Sequence, residues 1–145
     1  MVLPDIAMAG FPDRLSASPP ALAAFPRHPA LRVAELPGKG RGLVGVAPIS
    51  RGETLEVAPV IPLRRDELGA RTDGIFSYPF DWPEPPYAEA VALGLISLIN
   101  HSTAPNADWQ LDIPNRSIRL FAARDIPAGE EIAIDYGIPL WFDPA

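Results

Sequence analysis

The chain has 145 residues and a formal net charge of -6, with 48% hydrophobic and 21% charged residues. This length and balance predict one globular domain with its own hydrophobic core. The absence of cysteine excludes disulfides, thiolate catalysis and cysteine-bound zinc. The two histidines, His28 and His101, are too few for a histidine metal cluster, so no metal site is expected. The negative charge argues against direct nucleic-acid binding, and it fits either a solvated acidic surface or a basic protein partner.

Two further features of the composition restrict the class of protein. The 19 prolines predict short strands and turns rather than long helices. No stretch approaches the roughly 18 consecutive apolar residues of a membrane span. The first residues include Asp5 and Pro4 and no basic leader, so we expect no secretory signal and a cytoplasmic protein.

The first half of the chain predicts an extension followed by short strands. Residues 1–28 are rich in Pro and Ala without periodic patterning, and we interpret them as an N-terminal extension. Two apolar runs at 31–36 and 43–47 flank a Gly-rich turn, which predicts a β-hairpin. The turn residues at 50–52 predict a third strand directly after them.

The second half begins with an irregular segment at 64–86. Its aromatic residues indicate either a pocket wall or a core plug; they are Phe76, Tyr78, Phe80 and Trp82. Residues 87–100 follow two prolines and repeat apolar side chains at helical spacing, so they are predicted to form the one helix of the fold. Runs at 107–113 and 117–123 predict a second hairpin, and 132–137 predict a last short strand.

One sequence pattern occurs twice. Ile49, Gly52 and Glu53 have the same spacing as Ile126, Gly129 and Glu130, 77 positions further on. Two copies are too few for a solenoid. The repetition predicts one turn design used twice in a mainly β fold.

Three segments contain candidate functional residues. The Gly-rich segment 38–42 is typical of either a hairpin turn or a backbone cradle for an anionic ligand. In the segment 100–106, Asn100 and His101 lie where the predicted helix ends, and they either cap it and pack in the core or contact a ligand. The segment 129–137 ends a strand at Tyr136, which is structural unless it faces the same cavity as the first two segments.

Taken in this order, GKGRGLV, NHSTAPN and GEEIAIDYG resemble the signature motifs of the SET-domain family of protein-lysine methyltransferases. The resemblance extends from about Ala30 to Gly137 and is greatest for the compact viral and bacterial members. It implies small curved sheets of the β-clip type, with a C-terminal segment threaded beneath a preceding loop. It also implies S-adenosylmethionine as cofactor and a lysine-containing protein as substrate.

The resemblance assigns roles residue by residue. The cofactor's methionine portion would be bound at the turn, by Lys39, Gly40, Arg41 and Gly42. Asn100 and His101 would hold its amino-acid and adenine portions, and Tyr136 would be the active-site tyrosine. A narrow channel would deliver the neutral lysine amine in line with the methyl group, because an ammonium has no lone pair for the attack.

Three features depart from the family pattern. No cysteine is present to form a zinc-bound closing segment, so the apolar end of the chain, including Trp141, is expected to pack over the cofactor, or else to form a hydrophobic staple or a homodimer contact. Gly74 stands near the place of a family tyrosine, for which Tyr78 is the candidate substitute. Ile134 stands where some relatives place Phe or Tyr, which leaves the number of methyl groups added open.

These observations divide the chain into an extension (1–28), a SET domain (29–137) and a short closing segment (138–145). The preferred function is methyl transfer to protein lysine, with Tyr136 and Tyr78 in the active site. Two alternatives remain: a SET-fold binding module without transfer activity, and a strand-rich small-molecule-binding domain of related topology.

Overall fold

The computed structural model describes residues 24–64, 66 and 79–137. In this part of the chain nine strands form a four-stranded and a five-stranded sheet, joined by one turn of 3-10 helix. The strands are β1 (Leu31–Leu36), β2 (Gly40–Gly45), β3 (Thr54–Leu63), β4 (Pro79–Asp81), β5 (Glu89–Ala92), β6 (Asn100–His101), β7 (Ala107–Asp112), β8 (Ser117–Ala122) and β9 (Glu131–Ile134). The predicted mainly β fold is confirmed. None of the described helices is long and apolar enough to cross a membrane.

Both predicted hairpins are present. β1 and β2 pair from Leu31 opposite Gly45 to Leu36 opposite Gly40, and Gly38 in the turn between them has φ +75°. That left-handed conformation is strained for residues with a Cβ, which explains a glycine here. β7 and β8 pair in the same antiparallel way, and Arg116 in their turn has φ +46°.

The predicted helix at 87–100 is wrong. Its first part is the strand β5, and its second part is the 3-10 helix Leu95–Leu98. β5 lies between β4 and β3, and its residues Ala90, Val91 and Ala92 are all buried. A strand covered on both faces has a continuous apolar run, which periodicity cannot distinguish from a buried helix.

The last strand lies inside the four-stranded sheet, whose order is β1-β2-β9-β6. β9 pairs antiparallel with β2 and parallel with β6, where Asn100 is opposite Ala133 and His101 opposite Ile134. Asn100 and His101 therefore belong to a strand and do not leave the end of a helix. This central position of β9 agrees with the expected threaded arrangement and places three sequence motifs on the neighbouring strands β2, β9 and β6.

The repeated pattern forms two turns that face each other. Ile49 and Ile126 exchange both backbone hydrogen bonds, at 2.9 and 2.8 Å. Gly52 donates to the carbonyl of Ala122 at 2.8 Å, and Gly129 donates to that of Gly45 at 2.8 Å. Gly52 and Gly129 are 77 positions apart, and so are their acceptors Gly45 and Ala122. The contacts are therefore equivalent, and a local two-fold axis relates the connection β2–β3 to the connection β8–β9.

Only the last residues of the predicted extension are described, and they lie against β3. The backbone of His28 donates to Leu55 at 2.7 Å, and Val57 donates to Pro26 at 2.9 Å. Arg27 forms an isolated antiparallel bridge with Glu56. The domain boundaries themselves stay a prediction.

Candidate active site

A cavity of about 160 Å³ lies where the Gly-rich turn, the 3-10 helix and the end of β9 meet. Its lining combines two basic side chains, apolar groups, an amide and a phenol, contributed by Lys39, Arg41, Ser97, Leu98, Ile99, Asn100 and Tyr136. Four of these were predicted as site residues from the sequence. The three from the 3-10 helix and its end were not, because the sequence predicted a longer helix there.

Tyr136 is fixed through its backbone and through its hydroxyl group. Its backbone N–H donates to Nδ1 of His101 at 3.0 Å, and its hydroxyl donates to the carbonyl of Ile99 at 2.7 Å. The rings of His101 and Tyr136 pack with centroids 5.2 Å apart. Because the phenol proton is engaged by a backbone carbonyl, the arrangement suits an orienting group better than a proton acceptor.

His101 is buried, with 8% of its surface exposed, and it is not one of the described residues that line the cavity. Its Nδ1 accepts a hydrogen bond from Tyr136, which places the proton of the neutral ring on Nε2. Its role in the structure is therefore to hold the backbone of Tyr136. The predicted contact of His101 with the cofactor stays a prediction.

The amide of Asn100 connects the Gly-rich turn to β9. Its Nδ2 donates to the carbonyl of Arg41 at 3.2 Å and to Oε1 of Glu131 at 3.0 Å. Both N–H groups are thus used, and among the described residues no donor reaches its amide oxygen. That oxygen keeps its capacity to accept a hydrogen bond from a ligand N–H group.

Glu131, which the sequence motifs did not single out, contacts two residues of the cavity lining. Its carboxylate lies 2.9 Å from Nζ of Lys39, the only lysine in the sequence, and also holds Asn100. Its neighbour Glu130 instead pairs with Arg124, whose guanidinium holds the pKa of the Glu130 carboxyl below its usual range. Glu130 precedes β9 and Glu131 begins it, and the two carboxylates bond to different partners, a distinction that the letters GEE alone do not make.

Gly42 lets β2 approach Asn100 closely. A Cβ atom at Gly42 would lie 2.7 Å from Nδ2 of Asn100 and 2.4 Å from Cδ1 of Leu36. Gly40 has φ +73°, with open space around it. The two predicted glycines thus serve different purposes, a backbone conformation at Gly40 and a close approach at Gly42.

Two predicted site residues, Tyr78 and Trp141, lie outside the described residues, as do Gly74, Leu140 and Phe142. Their roles stay predictions. Among the described residues no cluster of three His, Cys, Asp or Glu side chains is arranged to hold a metal ion.

Comparison with known proteins decides the family. The SET domain family matches residues 40–137, which is more than half of the chain. The chain belongs to the SET-domain family. The match covers every described residue of the cavity except Lys39.

Relatives of this SET domain include lysine methyltransferases. It is 32% identical over 115 residues to the histone-lysine N-methyltransferase of Schizosaccharomyces pombe that is specific for H3 lysine-37, an alignment covering 78% of this chain and 77% of that protein. It is also 32% identical over 115 residues to N-lysine methyltransferase KMT5A-A of Xenopus laevis, covering 69% of this chain. The chain spans only 34% of the Xenopus protein's length.

Solved structures share the fold. A candidate histone methyltransferase of Plasmodium falciparum superposes with a TM-score of 0.61 at 23% identity, over 79% of this chain and 99% of that one. KRYPTONITE, solved in complex with mCHG DNA and SAH, superposes with a TM-score of 0.58 at 25% identity. That match covers 76% of this chain and 24% of the KRYPTONITE chain.

Proposed function

We propose that this SET domain is an S-adenosylmethionine-dependent protein-lysine N-methyltransferase. The observation that carries the proposal is the cavity whose lining brings together Lys39, Arg41, Asn100 and Tyr136. The methyltransferase relatives support the same reaction.

The residues of the cavity fit the charged amino-acid end of this cofactor. Lys39 and Arg41 provide positive charge for a carboxylate within a protein of net charge -6. The amide oxygen of Asn100 provides an acceptor for an ammonium group, and the carboxylate of Glu131 holds Asn100 and Lys39 from behind the lining. When bound, S-adenosylmethionine supplies a methyl group that its sulfonium makes electrophilic without any metal.

The chain's own contribution to the reaction is positioning. Tyr136 is held by Ile99 and His101, so its hydroxyl oxygen keeps one place at the cavity wall. A lysine amine must arrive neutral and in line with the methyl group, and such alignment is worth up to about 7–11 kcal/mol in favourable reactions. Since the Tyr136 proton is donated to a carbonyl, this tyrosine orients the reacting groups and leaves proton removal to another acceptor.

We further propose a basic protein segment as substrate and the cytoplasm as the site of action, without direct nucleic-acid contact. The net charge of -6 favours encounter with lysine-rich chains. The S. pombe relative acts on a histone, which makes histone H3 a suitable first substrate. The segment 138–145 is the proposed cover of the cofactor, or a contact in a homodimer.

The decisive experiment uses the purified full chain with methyl-labelled S-adenosylmethionine and histone H3, followed by peptide mass spectrometry. We expect label on lysine, and we expect Asn100→Ala to weaken cofactor binding in calorimetry. Cofactor binding without transfer to any lysate protein would instead support a binding module. Absence of cofactor binding at high micromolar protein would refute the proposal.

A further inference from the structure

A buried carboxylate lies behind the active-site wall. Glu56 of β3 is only 3% exposed. Its Oε1 accepts the backbone N–H of Ile96 at 2.9 Å, and its Oε2 accepts that of Leu95 at 3.1 Å. Its charge is balanced by Arg27, whose Nε lies 3.0 Å from Oε2.

These contacts make Glu56 the cap of the 3-10 helix Leu95–Leu98. The residue before that helix, Gly94, has no side chain to cap it. The first backbone N–H groups of a helix need acceptors, and a carboxylate from elsewhere in the chain supplies them here. A Cβ at Gly94 would lie 2.6 Å from Oε1 of Glu56, so glycine leaves room for the carboxylate.

The capped helix ends at the group that holds the active-site tyrosine. Ser97 and Leu98 line the cavity, and Ile99 directly after them accepts the hydroxyl of Tyr136 at 2.7 Å. A continuous set of contacts therefore runs from Arg27 through Glu56 and the helix to Tyr136. Arg27 precedes the SET match at 40–137, so this support comes from outside the matched region.

We propose that Glu56, held by Arg27, is a positioning residue that sets the hydroxyl of Tyr136 through the 3-10 helix. The kinetic part of this inference rests on the proposed methyltransferase function, whereas the geometric part does not. Without Arg27 the carboxylate keeps its two N–H donors and loses its counter-charge. The side chain of Arg27 is 52% exposed, so removing its guanidinium disturbs packing less than changing Glu56.

The geometric part is tested by NMR of ring-labelled tyrosine, because the chain has three tyrosines and Tyr136→Phe assigns the relevant signal. We expect Arg27→Gln and Glu56→Gln to shift the Cζ resonance of Tyr136 and to leave that of Tyr87 in place. Arg27→Lys keeps the positive charge, so it should leave the Tyr136 resonance close to its wild-type position. Arg51→Gln, an equal change of charge at an exposed turn, is the matched control and should shift neither signal.

The kinetic part is tested by single-turnover methyl transfer. We expect Arg27→Gln to slow transfer about tenfold, equivalent to about 1.4 kcal/mol at the transition state. In a Tyr136→Phe background the same substitution should cost little more, because both changes act on one hydroxyl.

The outcomes separate this inference from the proposed function. An unchanged Tyr136 resonance in both Arg27→Gln and Glu56→Gln would overturn the positioning role, as would an undiminished tenfold loss in the Tyr136→Phe background. A wild-type protein without transfer activity would refute the proposed function, while the resonance shifts would still decide the geometry.

Discussion

In the proposed reaction, the hydroxyl group of Tyr136 is the part of the chain that orients the reacting groups. Replacing Tyr136 by Phe keeps the ring against His101 and removes the bond to Ile99. We expect the rate of methyl transfer to fall about 100-fold, as for other losses of alignment at a reacting centre, with cofactor affinity nearly unchanged. Tyr87→Phe, outside the cavity lining, is the control, and equal rates for the two variants would contradict the role of Tyr136.

Gly42 offers a second test at the residue scale. A methyl group there would contact Asn100 at 2.7 Å and Leu36 at 2.4 Å, so the Asn100 amide must move. We expect Gly42→Ala to weaken S-adenosylmethionine binding at least about tenfold, or about 1.4 kcal/mol, in calorimetry. Unchanged affinity would show that the Asn100 amide is not a cofactor ligand.

Glu130 should contribute to stability in a pH-dependent way. Its hydrogen bond from Arg124 lowers its pKa in the folded protein, so the stabilisation is present above the pKa of the unfolded chain and is lost as pH falls through the folded value. Glu130→Gln should therefore destabilise the protein slightly at neutral pH and not at strongly acidic pH. Urea unfolding at both pH values measures this, and an equal effect at both would refute the assignment.

Among the structural elements, the loop after β6 depends on one buried amide. Asn106 is 2% exposed; its Nδ2 donates to Glu131 at 2.7 Å, and its Oδ1 accepts from Ala133 at 2.9 Å. The side chain thus replaces a strand partner for β9. Asn106→Ala should cost about 2 kcal/mol of unfolding free energy, because buried backbone groups lose their partners.

The exposed turn residue Asn115 provides the control for that measurement. It bonds to Asp112 within the β7–β8 turn, where water can replace the contact. Asn115→Ala is expected to change stability by less than about 0.5 kcal/mol. A similar loss for both variants would contradict the role of burial at Asn106.

The secondary structure was predicted correctly where turn residues mark the ends of the strands. It was predicted wrongly where a strand is completely buried. Glycine and proline turns marked both hairpins, because turn conformations depend on the residues within them. The segment 87–100 was misread because β5 is covered on both faces, so consecutive side chains are apolar whichever face they point to. Distinguishing that strand from a helix requires the neighbouring strands, which periodicity does not supply.

At the scale of the whole molecule, the two facing turns predict equal contributions to stability from residues that are far apart in sequence. Ile49 and Ile126 are each 1% exposed and occupy equivalent places in the local two-fold. Ile49→Ala and Ile126→Ala should each lower the unfolding free energy by about 2–5 kcal/mol, and by similar amounts. Ile61, which is 51% exposed, provides a control with little effect; a large difference between the two buried sites would refute the equivalence.

The site was predictable to the extent that its residues lie in short motifs. Asn100, Tyr136 and the glycines could be named because the motifs are contiguous and ordered. Glu56 and Arg27 could not be, since Glu56 acts on residues 39 and 40 positions away and Arg27 acts on Glu56 across 29. Such contacts depend on how the sheets pack, and they cannot be predicted from the pattern of a single sequence.

Lys39 has a practical consequence as the only lysine side chain in the sequence. A reagent that acylates lysine amines has one side chain to modify in this chain, and that side chain lines the cavity. The extent of acylation at Lys39, read by peptide mass spectrometry so that the N-terminal amine is counted separately, becomes a gauge of whether the cavity is filled. Any compound that displaces Glu131 from Lys39, or covers the amine, changes that gauge without an assay for methyl transfer.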